Sequence, residues 1–166
     1  VTNECGSSES CQEFRLSASA VLTISNWQVQ NVSCNGGTNG SIRVIAGGGT
    51  PPYIFDWDNG ASSSELNNLP AGNYNLVLKD NAGNTYSQSF AVSEPDAIAL
   101  SSANITHSTG AADGSIDITA QGGTKPYTFL WNNNSTNEDL IQVLPGFYSL
   151  KVIDALLCER SFGPFE

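Results

Sequence analysis

Apolar side chains recur at every second position through several short runs of this chain. Ile42, Val44 and Ala46 alternate with Ser41, Arg43 and Ile45, and Ile116, Ile118 and Ala120 alternate with Ser115, Asp117 and Thr119. Tyr53, Phe55 and Trp57 keep the same rhythm, as do Tyr127, Phe129 and Trp131. Tyr74, Leu76 and Leu78 make a further run, matched by Tyr148, Leu150 and Val152. A period of two puts one set of side chains on one face, so each run predicts a half-buried β-strand. Between the runs stand Gly47 to Pro52, Asn59-Gly60, Pro70 to Gly72 and Asn81 to Asn84. Such residues favour turns because they tolerate or pre-set unusual backbone angles. No segment holds a 3.6-residue apolar period, so no helix is predicted.

The matched runs share one offset. Gly40-Ser41-Ile42 recurs as Gly114-Ser115-Ile116, 74 positions later. The same shift carries Gly48-Gly49-Thr50 onto Gly122-Gly123-Thr124, Trp57 onto Trp131, Leu66 onto Leu140, Tyr74 onto Tyr148 and Asp80 onto Asp154. This is an internal repeat. The start of the chain fits the end of the pattern: Val1-Thr2-Asn3 followed by Cys5 resembles Val152-Ile153-Asp154 followed by Cys158, with Phe14 in the place of Phe90 and Phe162. The predicted organisation is the tail of a preceding repeat over residues 1–22, one repeat over 23–96 and another over 97–166. The linker falls near Glu94-Pro95-Asp96, and the chain reads as cut from something longer.

Short strands at regular spacing with turns between them predict a sandwich. Trp57 and Trp131 stand where immunoglobulin-like domains place a core tryptophan. Tyr74 follows Leu69-Pro70-Ala71-Gly72 as a tyrosine corner does, and Tyr148 matches it. The expected fold is all-β, a tandem of immunoglobulin-like β-sandwich repeats, with Trp57, Trp131, Tyr74 and Tyr148 as structural core.

Charge narrows the partners. The chain has 16 acidic and 6 basic side chains, a net charge of −10. A surface this negative repels phosphate backbones and anionic lipid, so no nucleic acid is expected. With no apolar stretch of about 18 residues, no membrane insertion is expected either. Charged residues make up only 13% of the chain; Asn, Ser, Thr and Gly supply the remaining polarity, as in turn-rich secreted β-proteins. No basic segment followed by an apolar run marks a signal peptide.

The string Val32-Ser33-Cys34-Asn35-Gly36-Gly37, then Asn39-Gly40-Ser41-Ile42, Gly48-Gly49-Thr50-Pro51-Pro52-Tyr53, Trp57-Asp58-Asn59-Gly60 and Leu69-Pro70-Ala71-Gly72-Asn73-Tyr74 resembles the SprB repeat. That family occurs in very large surface proteins of Bacteroidetes and is named for a gliding-motility adhesin. The resemblance implies secretion to the bacterial cell surface, usually by the type IX route, and cell adhesion or spacing for it. The second copy departs from the pattern, with His107 near the place of Cys34 and Asn132-Asn133-Asn134 replacing Asp58-Asn59-Gly60. The first copy has Asn84 where the family often carries a late cysteine.

Four cysteines, Cys5, Cys11, Cys34 and Cys158, are expected to oxidise in a secreted setting. Pairing the late cysteine of one repeat with the early cysteine of the next joins Cys5 to Cys34 and sends Cys158 beyond the chain. That scheme explains why Asn84 and His107 both lack sulfur; pairing within a repeat strands Cys34 and Cys158. Cys5–Cys11 across a short turn is the rival to the Cys5–Cys34 disulfide.

Catalytic groups are sparse. His107 is the single histidine, in one repeat only, so no Ser-His-Asp device is predicted and no enzyme is expected. No pair of acids stands out as a glycosidase dyad. The glycine-rich Gly47-Gly48-Gly49 lacks the lysine of a phosphate loop. Calcium is the one cofactor to weigh, with Asp80 and Asp96 as its candidate ligands; turn chemistry explains such residues without a metal. The 74-residue offset sets Trp27 against Ser101, outside the repeat core. Trp27 is therefore either a cap on the joint with the preceding tail or the candidate ligand platform.

The function expected is a non-enzymatic extracellular repeat module of a large surface adhesin, acting as spacer or stalk and in adhesion. Its partners are neighbouring repeats, with surface glycans or other surface proteins as further candidates. A carbohydrate-binding module is one alternative. A surface-filament subunit is another, prompted by the incomplete strands of Val1 to Ser17.

Overall fold

A computed structural model of the chain describes residues 20–166. The repeat tail proposed from Val1 to Ser17, with Cys5, Cys11 and Phe14, lies outside the described residues.

The first repeat folds as two three-stranded sheets. One contains β1 (Thr23–Gln30), β2 (Gly40–Gly47) and β4 (Glu65–Leu69) in the order β1-β2-β4. The other contains β3 (Ile54–Trp57), β5 (Gly72–Lys79) and β6 (Thr85–Val92) in the order β3-β5-β6. The second repeat copies the plan. β7 (Ala99–Thr106), β8 (Gly114–Gln121) and β10 (Leu140–Val143) form one sheet; β9 (Thr128–Trp131), β11 (Tyr148–Ile153) and β12 (Glu159–Phe165) form the other. All strand pairs are antiparallel. The fold is all-β, two immunoglobulin-like sandwiches in tandem.

Each sandwich closes on its own apolar core. Ile42, Val44, Leu66 and Leu69 from one sheet meet Trp57, Tyr74, Leu76, Leu78 and Phe90 from the other. Ile116, Ile118, Ala120 and Leu140 meet Trp131, Leu150 and Val152 in a separate cluster. Trp57 and Trp131 are 2% and 1% exposed and pair in register with Leu76 and Leu150. Burying a side chain of this size is worth about 1.5–3 kcal/mol. The indole nitrogens are satisfied too: Trp57 Nε1 donates to the Ser63 carbonyl at 2.8 Å and Trp131 Nε1 to the Asn137 carbonyl at 3.0 Å. Tyr74 and Tyr148 both donate their hydroxyls at 2.9 Å to the carbonyl four residues back, at Pro70 and Leu144. Tyr74 is buried and Tyr148 half-buried.

The alternation breaks in β4 and again in β10. In β4, Leu66 and Leu69 both face the core although three residues apart. The pairing of β2 with β4 shifts register there, and Asn68 takes a φ of 57°. The second repeat repeats the irregularity, with Gln142 at 55° in β10. The extra residue of a bulge resets which side chain points inward.

The first strand corrects two alignments. Trp27 pairs with Val44, and Ala103 pairs with the equivalent Ile118, so Trp27 corresponds to Ala103 and not to Ser101. Along this strand the copies are offset by two further residues, because the loop over 107–113 is two residues shorter than the loop over 31–39. His107 therefore corresponds to Asn31, and Cys34 has no counterpart in the second repeat. Leu22, assigned to the preceding tail by sequence, is 4% exposed within the first core. Its neighbour Ala20 accepts a backbone hydrogen bond from Gly49. The first sandwich thus begins before residue 23.

Candidate functional site

The place where the two repeats meet is densely hydrogen-bonded. The linker between Val92 and Ala99 is gripped from both sides. On the side of the first repeat, the β1–β2 loop holds it. The Val32 N–H donates to the Ser93 carbonyl at 2.9 Å, and the Ser93 N–H donates to Asn31 Oδ1 at 3.0 Å. The Glu94 carboxylate accepts from the Gly36 N–H at 2.5 Å and from Asn35 Nδ2 at 3.2 Å. Asn35 Nδ2 also donates to the Pro95 carbonyl at 3.2 Å. On the side of the second repeat, the Asp96 carbonyl accepts from the Gly123 N–H at 2.7 Å. Beside it the backbone packs so closely that a Cβ on Gly122, whose φ is 73°, would lie 2.0 Å from the Ala97 carbonyl oxygen.

The joint is closed covalently. Cys34, in the β1–β2 loop of the first repeat, is bonded to Cys158, at the β11–β12 turn of the second, with Cα atoms 5.6 Å apart and 124 residues between them in sequence. This corrects the expected Cys5–Cys34 bond. The sequence rule ran from the late cysteine of one repeat to the early cysteine of the next; the bond found here runs from the early cysteine of one to the late cysteine of the next. The reason is the direction of the strands. β1 carries the chain from the Gly48-Gly49 end of the first sandwich, where Ala20 and Val21 lie, to the opposite end, where the linker leaves. Cys34 therefore faces the following repeat.

The turn that presents Cys158 is built around a buried carboxylate. Asp154 is 3% exposed. It accepts from the N–H of Thr124 at 2.8 Å, of Leu156 at 2.8 Å and of Cys158 at 2.9 Å. Asp80 fills the same role in the first repeat, accepting from the N–H groups of Thr50, Ala82 and Asn84 and from Asn84 Nδ2 at 2.8–3.0 Å. The Asn84 side chain foremost, with these amides, holds the Asp80 carboxyl below the usual value of 3.8. Hydrogen bonds to the ionised form have this effect.

The residues singled out from the sequence are not drawn together. Asp80 lies at the end of the first sandwich opposite the linker. Asp96 is exposed in the linker, against Gly123 of the second. The Asp80 oxygens are occupied by the turn they close, and among the described residues no group of three or more His, Cys, Asp or Glu converges as metal ligands would. Asp56 pairs with Lys79 at 3.1 Å, and Asp58 accepts from Asn75 Nδ2 at 2.7 Å. His107 is exposed in the shortened loop. There Asp113 accepts from Ser108 and Thr109, whose hydrogen bonds, the Thr109 hydroxyl first, lower its pKa.

Trp27 is half exposed and stands edge-on to Phe90, ring centroids 6.4 Å apart, where the edge strands of the two sheets approach. It covers the flank of the first core. Phe147 is the other exposed aromatic side chain in the exposed apolar set of the described residues, and it belongs to the second repeat. Sequence reasoning missed the clamp formed by Asn31, Asn35 and Glu94. The Asn and Gly content of the loop signalled a turn but carried no sign of what the turn holds.

Tandem immunoglobulin-like sandwiches stapled at their joint define the structural class. The sequence profile of the SprB repeat matches twice, over residues 27–62 and 109–136, one match in each sandwich. Both sandwiches are therefore similar to the SprB repeat. Among curated proteins no sequence matches. Solved structures with similar folds include the N-terminal eight Ig domains of Down syndrome cell adhesion molecule isoform 1.30.30. It is 14% identical over 87% of this chain and 24% of that one, with a TM-score of 0.44. They also include a C-terminal 282-residue fragment of intimin in complex with the intimin-binding domain of the translocated intimin receptor. It is 13% identical over 84% of this chain and 62% of that one, with a TM-score of 0.41. The chain spans about a quarter of the first and under two thirds of the second.

Proposed function

We propose that this chain is a non-enzymatic extracellular module of a bacterial cell-surface adhesin, working as a spacer that holds a binding end away from the cell. The observation that carries this reading is the joint. Two self-contained cores are coupled by a hydrogen-bonded linker and a disulfide, which resists bending between the repeats. A spacer needs this property, whereas a binding module needs a concave or aromatic face. The SprB match and the disulfide both favour the outside of the cell, since cytosolic thiols are kept reduced. Neighbouring repeats in the same chain are the partners this reading requires.

The test is made in the source organism. Antibody against the chain should label intact cells. Replacing these two repeats with unrelated sandwiches of equal length should preserve attachment, and deleting them should shorten its reach. Attachment lost on an equal-length replacement would assign binding to the repeats themselves.

A further inference from the structure

The disulfide has a mechanical consequence that follows from its place in the strand order and rests on the spacer reading, in which the chain carries load from end to end. Tension applied through the backbone enters the first repeat along β1. It reaches Cys34 three residues after the loop begins, crosses to Cys158 and leaves along β12. We propose that the Cys34–Cys158 bond is a covalent bypass that takes the interior of both repeats, residues 35–157, out of the path of force.

The bypass is already nearly taut. A β-strand rises about 3.2–3.4 Å per residue, against a limit of roughly 3.3–3.6 Å for a fully extended chain. β1 and β12 make up most of the covalent route, so pulling on them releases little length. Everything between the cysteines, including ten of the twelve strands of the described residues and the linker, hangs inside the loop closed by sulfur. Without the bond, the 124 residue steps between the cysteines can be drawn out to about 400 Å. With it, the slack is confined to the short segments flanking β1 and β12, on the order of a few tens of ångströms. The two cores then need not resist unfolding by tension at all; the S–S bond does so for them.

Other features do not compete with this. The exposed apolar residues Ile141, Leu144 and Phe147 sit on the second repeat where the first has Asn67, Pro70 and Asn73, and nothing in the structure shows what covers them.

The experiment is single-molecule force spectroscopy on the full chain with a handle protein fused at each end, carrying Cys5→Ser and Cys11→Ser so that one pairing remains. The oxidised molecule should show no long unfolding step before the handles yield. The same molecule pulled in reductant, or the Cys158→Ser variant, should give two steps of roughly 200 Å each, one per repeat. Reductant added to folded, oxidised protein supplies the comparison if the variant folds poorly. Two long steps in the oxidised chain, or peptide mapping that finds Cys34 and Cys158 unbonded after air oxidation, would overturn the proposal. Failure of the cell-labelling test would remove the adhesin reading and leave this measurement intact.

Discussion

The backbone N–H of Cys158 donates to Asp154 Oδ1 at 2.9 Å, so the carboxylate that closes the β11–β12 turn also aims the cysteine that joins the repeats. Asp154→Ala leaves three backbone donors without their acceptor. We expect it to destabilise the second repeat by about 1.5–3 kcal/mol, the range for hydrogen bonds to a charged group. Cys34–Cys158 bonding should form more slowly as well. Urea denaturation and the rate of the mobility shift on a non-reducing gel check the two effects.

Asp80 gives a pH signature. Its folded pKa lies below 3.8 because the ionised form accepts from the Asn84 side chain and from three backbone amides. Below that value the unfolded chain binds the proton first, so unfolding is favoured as pH falls. The contribution is complete at neutral pH, begins to fall near pH 4 and is gone once the folded carboxyl protonates. Thermal midpoints measured from pH 7 downward should drop below pH 4, and Asp80→Asn should flatten that drop while lowering the midpoint at pH 7. An unchanged acid limb in the variant would assign the acid sensitivity elsewhere.

Leu157 occupies a glycine's place. It has a φ of 63° and is 82% exposed, while its counterpart Gly83 has a φ of 84°. A side chain in left-handed conformation is strained by its Cβ, and this one gains little burial in return. Leu157→Gly should stabilise the second repeat by about 0.5–1 kcal/mol, the strain relieved being partly offset by the greater freedom of glycine in the unfolded chain. Chemical denaturation measures this, with Gly83→Leu as the reverse test in the first repeat.

Trp27 separates a structural role from a binding one. Set edge-on to Phe90, it should cost about 1–2 kcal/mol when replaced by alanine, from lost apolar cover and the aromatic pair. Trp27→Phe should recover part of that. A stable Trp27→Ala protein that loses retention on a glycan column would instead mark the indole as a ligand platform.

The sandwich was legible because its core obeys a simple rule. Ile42, Val44, Trp57, Leu76 and Leu78 follow the two-residue rhythm, and one offset repeats them. β4 and β10 were not legible, since the bulges at Asn68 and Gln142 break that rhythm. The correspondence of Trp27 failed for a related reason: two residues missing from the 107–113 loop shift everything upstream of it. The disulfide was misassigned because linear order of cysteines does not say which end of a sandwich each occupies. Only the direction of β1 places Cys34 at the end where the linker leaves. The clamp by Glu94 was invisible in the sequence, since its partners Asn35 and Gly36 lie nearly sixty positions away.

Cys34 and Cys158 are each put in place by a different domain, one by the loop after β1 and the other by the turn that Asp154 shapes. Neither half supplies both thiols, so a change in the loop after β1 or in the Asp154 turn should show at once in how readily the two domains become joined.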